Sequence, residues 1–86
     1  MSVQDTLVSR GIHYGEFRDV ADISQSIKDV YYSGNSYARL DCDQREALDM
    51  IANKIARILN GNPHLYDSWH DIAGYAELVA QRLKEP

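Results

Sequence analysis

Apolar residues recur at spacings of three and four along three long stretches of the chain. From 20 to 32 the apolar positions are Val20, Ile23, Ile27, Val30 and Tyr31, with Ser24, Gln25, Lys28 and Asp29 between them. From 43 to 60 they are Leu48, Ile51, Ala52, Ile55, Ile58 and Leu59. From 67 to 84, Trp69, Ile72, Ala73, Ala76, Val79, Ala80 and Leu83 gather on one broad face. That spacing belongs to helices with one side buried. A shorter pattern at 2–9 has Val3, Leu7 and Val8 on one side and Ser2 as a cap. No stretch alternates with the period of a strand. The expected fold is all-α: a small helical bundle in one domain, 1–86.

Punctuation residues set the expected boundaries. Gly11 is expected to end the first helix, and residues 10–17 to form a structured loop. In that loop Tyr14 and Phe17 would plug the end of the core, and His13 would lie at the surface. Asp19 or Asp22 would cap the second helix, and Ser33-Gly34-Asn35-Ser36 breaks it. Leu40 would then pack ahead of the third helix. Asp43 and Glu46 match a capping box for that helix. Asn60-Gly61 reads as a left-handed cap, with Pro63 as the stop. Asp67 would cap the last helix. The two long helices, 43–60 and 67–84, would form an antiparallel hairpin on which the bundle is built.

Composition narrows the function classes. A chain of 86 residues hides only about 60–65% of its unfolded surface, so its stability margin is thin and association is a common remedy. The net charge of −4 and dispersed basic residues do not suit a nucleic-acid coat or a membrane-surface binder. No apolar run approaches the ~20 residues of a membrane span. The first residues carry no charged-then-apolar signal pattern. The single Cys42 permits no internal disulfide, which fits a reducing, cytoplasmic setting. Asp41 and Asp43 beside it discourage the thiolate.

The last helix carries a second face: Asp67, Asp71, Gly74, Leu78 and Arg82, with Tyr75 at its edge. A mid-helix glycine costs about 1 kcal/mol against alanine, and a solvent face needs neither it nor a leucine. Gly74, Tyr75 and Leu78 are therefore expected to contact a partner in a homo-oligomer.

Carboxylates on the hairpin are the candidates for chemistry. Glu46 and Asp49 are three apart, and Asp67 and Asp71 four apart. Carboxylates from facing helices are how bundles hold magnesium. Each also has a structural reading. Glu46 belongs to the capping box, Asp49 can pair with Arg45, and Asp67 is a good cap. Asp71 can pair with Lys54 across the hairpin, either as a salt bridge between packed helices or as part of a polar site for phosphate or metal.

Three motifs, Tyr14-Gly15-Glu16-Phe17, Lys54-Ile-Ala-Arg57-Ile-Leu-Asn-Gly61 and Asp67-Ser-Trp-His-Asp71-Ile-Ala-Gly74-Tyr75-Ala, together resemble a family of small phage and prophage proteins of unknown function. The hairpin is more distantly similar to the MazG-type all-α nucleoside triphosphate pyrophosphohydrolases. That resemblance implies magnesium and a nucleotide, with Glu46 and Asp49 matching the first acidic pair and Asp71 the last acid; Asp67, one position off the remaining place, is the fourth candidate metal ligand, and the cations Lys54 and Arg57 on the hairpin are the candidates for the phosphates. Ser68 stands where that pattern has an acid three residues before Asp71, which leaves the quartet incomplete and argues against robust hydrolysis. Three functions remain open at this point: a MazG-like domain that binds a nucleotide with magnesium or acts on it as a pyrophosphohydrolase, a phage accessory protein that binds or inhibits a host protein, and a structural homo-oligomer.

Overall fold

The structure is a computed structural model that describes residues 2–84. It has four α-helices: α1 (Val3–Tyr14), α2 (Phe17–Tyr32), α3 (Cys42–Asn60) and α4 (Tyr66–Lys84), with a 3-10 turn at Tyr37–Arg39. No strand occurs among the described residues. Among the described residues no helix is long and apolar enough to cross a membrane. Helix α3 is the centre, with α2 packed on one side and α4 on the other, while α1 is only loosely attached.

Packing around α3 rests on small side chains. Ala52 and Ala56 are fully buried, and Ala47 nearly so. Val20 and Ser24 of α2 and Ser68 of α4 complete the buried set. Small residues let helices approach closely. Ile51, Ile55 and Ile58 of α3, with Ile23, Ile27, Ile72 and Val79 of its neighbours, are half-buried around them. Among the described residues no large side chain is fully buried. The Tyr31 hydroxyl ties α2 to α3 by donating to the Leu48 carbonyl at 3.0 Å. Burial, and then the charge of Asp49, raise its pKa.

Several expected boundaries are corrected. Helix α1 runs through Gly11 to Tyr14 and stops at Gly15, whose φ is 80°. A glycine inside a helix is a modest cost, whereas the left-handed region at Gly15 ends it. Ser2 does cap α1, in a reciprocal box with Asp5. Helix α2 starts directly at Phe17, so neither Asp19 nor Asp22 caps it. Helix α3 is capped by Asp41, not Asp43, and Gln44 accepts the Asp41 N–H at 2.7 Å. Helix α4 starts at Tyr66, which leaves Asp67 within its first turn. There Trp69 donates from Nε1 to the Pro63 carbonyl at 2.8 Å and closes the loop.

Burial corrects the expected core. Val30, Leu59 and Phe17 are exposed and Ser24 is buried. Tyr14 is half-buried beneath Arg57, whose guanidinium carbon lies 4.5 Å from the ring centroid. On α4 the inward face is Ser68, Asp71, Ile72, Tyr75 and Val79, while Trp69, Ala73, Ala76, Ala80 and Leu83 are exposed. The hydrophobic face inferred from spacing is rotated from the one that meets α3. The α4 register is set by its ion pairs and by the small Ser68, not by its longest apolar stripe.

Gly61 is not left-handed; its φ is −127°. Its lack of a side chain serves a close approach instead. A Cβ there would fall on the His13 carbonyl oxygen and lie 2.8 Å from the Tyr14 carbonyl carbon. Asn62 N–H donates to His13 O at 2.8 Å, and Asn60 Nδ2 donates to Tyr14 O at 3.0 Å. These bonds fasten the α1–α2 corner to the end of α3.

Gly61→Ala should therefore lift that corner and cost roughly 1–3 kcal/mol, the scale of overpacking. Gly11→Ala meets nothing within 4 Å and should stabilise by about 1 kcal/mol. Thermal unfolding of the two variants checks the pair; equal melting temperatures would contradict this account of Gly61.

Candidate functional site

The charges that suggested chemistry are arranged along the α3–α4 seam. Lys54 Nζ lies 3.2 Å from Asp71 Oδ2, with the lysine side chain 12% and the aspartate 44% exposed. Eleven residues earlier on α3 and eleven later on α4, Asp43 meets Arg82 through a short Nε contact and a 2.8 Å bond from Nη2. Arg82 Nη2 also donates to Asp41 at 2.9 Å. Eleven residues are three helical turns, so the two pairs share one face and mark an antiparallel register.

Local spacing puts Arg82 on an outer face and Asp43 in a cap, and does not by itself pair them. The signal lies in the spacing across the hairpin. Once Lys54 and Asp71 are opposed in an antiparallel hairpin, a step of three turns in each direction opposes Asp43 and Arg82. The hydrogen bond from Arg82 holds the Asp43 carboxyl below its ordinary pKa, and the same bond raises that of Arg82.

The proposed magnesium residues do not come together. Glu46 and Asp67 are exposed, Asp49 is half-buried beside Tyr31, and Asp71 is engaged by Lys54. Among the described residues no three histidine, cysteine or acidic side chains form a group able to hold a metal ion. Lys54 and Arg57 also have structural partners, in Asp71 and the Tyr14 ring. Gly74 and Leu78 are exposed on α4, with nothing within 4 Å of a Cβ at Gly74. Tyr75, placed with them from the sequence, turns toward the α3 side and is half-buried.

What the scaffold leaves unused is apolar. A cleft of about 440 Å³ opens between α1, α2 and α3. Leu7 and Val8 form one wall, Phe17 and Val20 the other, with Arg10 and Glu16 on its rim. Phe17 is 79% exposed, far more than its size would lead one to expect. No protein-family model, curated protein or solved structure matches the chain.

Asp71→Asn should cost about 1 kcal/mol, near the value of exposed pairs, because Asp71 is nearly half in water. A double-mutant cycle with Lys54→Met should give a coupling of that size; none would mean that the pair does not stabilise the hairpin. Arg82→Met tests pH dependence. A lowered carboxyl pKa contributes stability above the ordinary aspartate value and loses it as the pH falls through the lowered one. Melting temperatures of parent and Arg82→Met should differ at neutral pH and converge as acid protonates Asp43.

Proposed function

We propose that this protein is a non-catalytic binding module whose α1–α2 cleft receives an amphipathic helix of a partner protein. The observation that carries the reading is the open cleft itself, with Leu7, Val8 and Phe17 exposed across it. Contiguous exposed apolar surface rimmed by charge is a feature of protein-interaction sites. A groove between helices suits a helix that inserts an apolar stripe. Arg10 and Arg57 outweigh Glu16 around the cleft, which favours acidic residues beside that stripe.

The magnesium–nucleotide reading has less support. Its cations and Asp71 are bound into the scaffold, and its acids are dispersed.

A photo-crosslinking residue in place of Val8, in the producing cell, should yield an adduct with a different protein. The same residue at Lys28 on α2 should not. Adducts at position 8 that contain only this chain would overturn the proposal. Phe17→Glu should remove the adduct without lowering the melting temperature. Magnesium with nucleoside triphosphates should leave that temperature unchanged; a rise abolished by Asp71→Asn would favour the nucleotide reading.

A further inference from the structure

A second apolar surface lies on α4, away from the cleft. Tyr66, Trp69, Ala73, Ala76, Ala80 and Leu83 follow one another at spacings of three, four, three, four and three. All are exposed: Tyr66 by 71%, Trp69 by 56% and Leu83 by 56%, with the three alanines also in water. The line runs for about 26 Å at 1.5 Å per residue. An alternating three–four spacing is the heptad seam of a coiled coil, where each side chain enters a hole on a facing helix. No described helix faces it.

We infer that this seam pairs with α4 of a second copy, antiparallel, about a two-fold axis near Ala73 and Ala76. The order of sizes is self-complementary in that direction. Reversing one helix sets Ala73 against Ala76 at the centre. Trp69 then lies against Ala80, and Tyr66 against Leu83. The bulky indole meets a small residue at each end, and the alanines allow close approach between. A parallel pairing would instead stack Trp69 on Trp69 and leave three successive alanine layers thin.

Charge fits the same arrangement. His70 and Glu77 flank the seam on its open side, and the antiparallel register brings each beside the other residue of the second copy. On the opposite flank stand Ile72 and Val79, half-buried toward α3. Like charges therefore do not oppose one another next to the axis.

The exposed area points to the same occupant. A compact monomer of this mass exposes about 5,200 Å², whereas this chain exposes 6427 Å². Its radius of gyration is 14.7 Å, against about 12 Å for a compact domain of its length. The surplus of roughly 1,200 Å² is shared by the α1–α2 cleft and this seam, and it exceeds the about 800 Å² per partner that is standard for one interface. A symmetric pair lets one patch cover itself.

Light scattering and sedimentation at tens of micromolar should give twice the chain mass of 9.8 kDa. Ala76→Glu, at an exposed helical position, should shift the protein to monomer while circular dichroism keeps its helicity. Leu78→Asp, on the face of α4 turned away from the seam, should remain dimeric. For orientation, Cys42→Ser copies carrying Tyr66→Cys are mixed with Cys42→Ser copies carrying Leu83→Cys under mild oxidation. The mixture should form a disulfide-linked pair, and neither variant should do so alone. A monomeric parent, a dimer that survives Ala76→Glu, a Leu78→Asp monomer, or cross-linking of Tyr66→Cys to itself would each overturn the inference. The Phe17→Glu variant should dimerise normally, which separates this surface from the cleft.

Discussion

Everything in this fold depends on how closely α3 can be approached. Its buried line is Ala47, Ala52 and Ala56, met by Ser24 from α2 and Ser68 from α4. Small side chains bring the helix axes together but bury little apolar area each, and burial stabilises at about 25 cal/mol per Å². The larger aliphatics sit around this line and stay half in water. The chain thus has a well-defined centre and an undersized core, and apolar side chains remain at its surface.

Polar groups compensate by fixing geometry. Lys54–Asp71 and Asp43–Arg82 are set three turns apart on each helix and oppose each other in antiparallel order. Exposed pairs contribute little energy, but two on one face disfavour a slipped register. At the other end of the molecule, Asn60, Gly61 and Asn62 grip the backbone of His13 and Tyr14. That grip holds the last turn of α1, and Leu7 and Val8 earlier in the helix line a cleft. The charges that first suggest a catalytic site are engaged in holding helices, and the free surface is apolar. Two such surfaces, on α1–α2 and on α4, point in different directions and suit different occupants.

Much of the fold was legible in the chain. Three-and-four spacing located the three long helices, and the short loop between the last two required a hairpin. Opposing two helices of that hairpin was enough to pair Lys54 with Asp71. The glycines were legible only as punctuation. Gly11 lies within a helix because nothing in its surroundings requires the helix to stop there, whereas Gly15 adopts a conformation that a helix cannot contain. Asp41-Cys-Asp43-Gln-Arg-Glu46 offers two overlapping capping boxes, and local sequence ranks them equally. The structure uses the first, Asp41 with Gln44, while Arg82 from the far end of another helix bonds to both Asp41 and Asp43.

By itself, the sequence determined which segments are helical and which pair of them forms the hairpin, because these follow from periodicity and loop length along one stretch of chain. Tertiary structure alone decided which face of α4 turns inward. Periodicity identifies an apolar stripe without saying what covers it, and α4 carries two stripes. The one meeting α3 is chosen by the small Ser68 and by ion pairs with residues distant in sequence. The longer stripe, Trp69 to Leu83, is therefore left outside. Tertiary structure likewise decided that Gly61 is needed for the backbone of Tyr14 to come close, a contact between segments that no local pattern encodes.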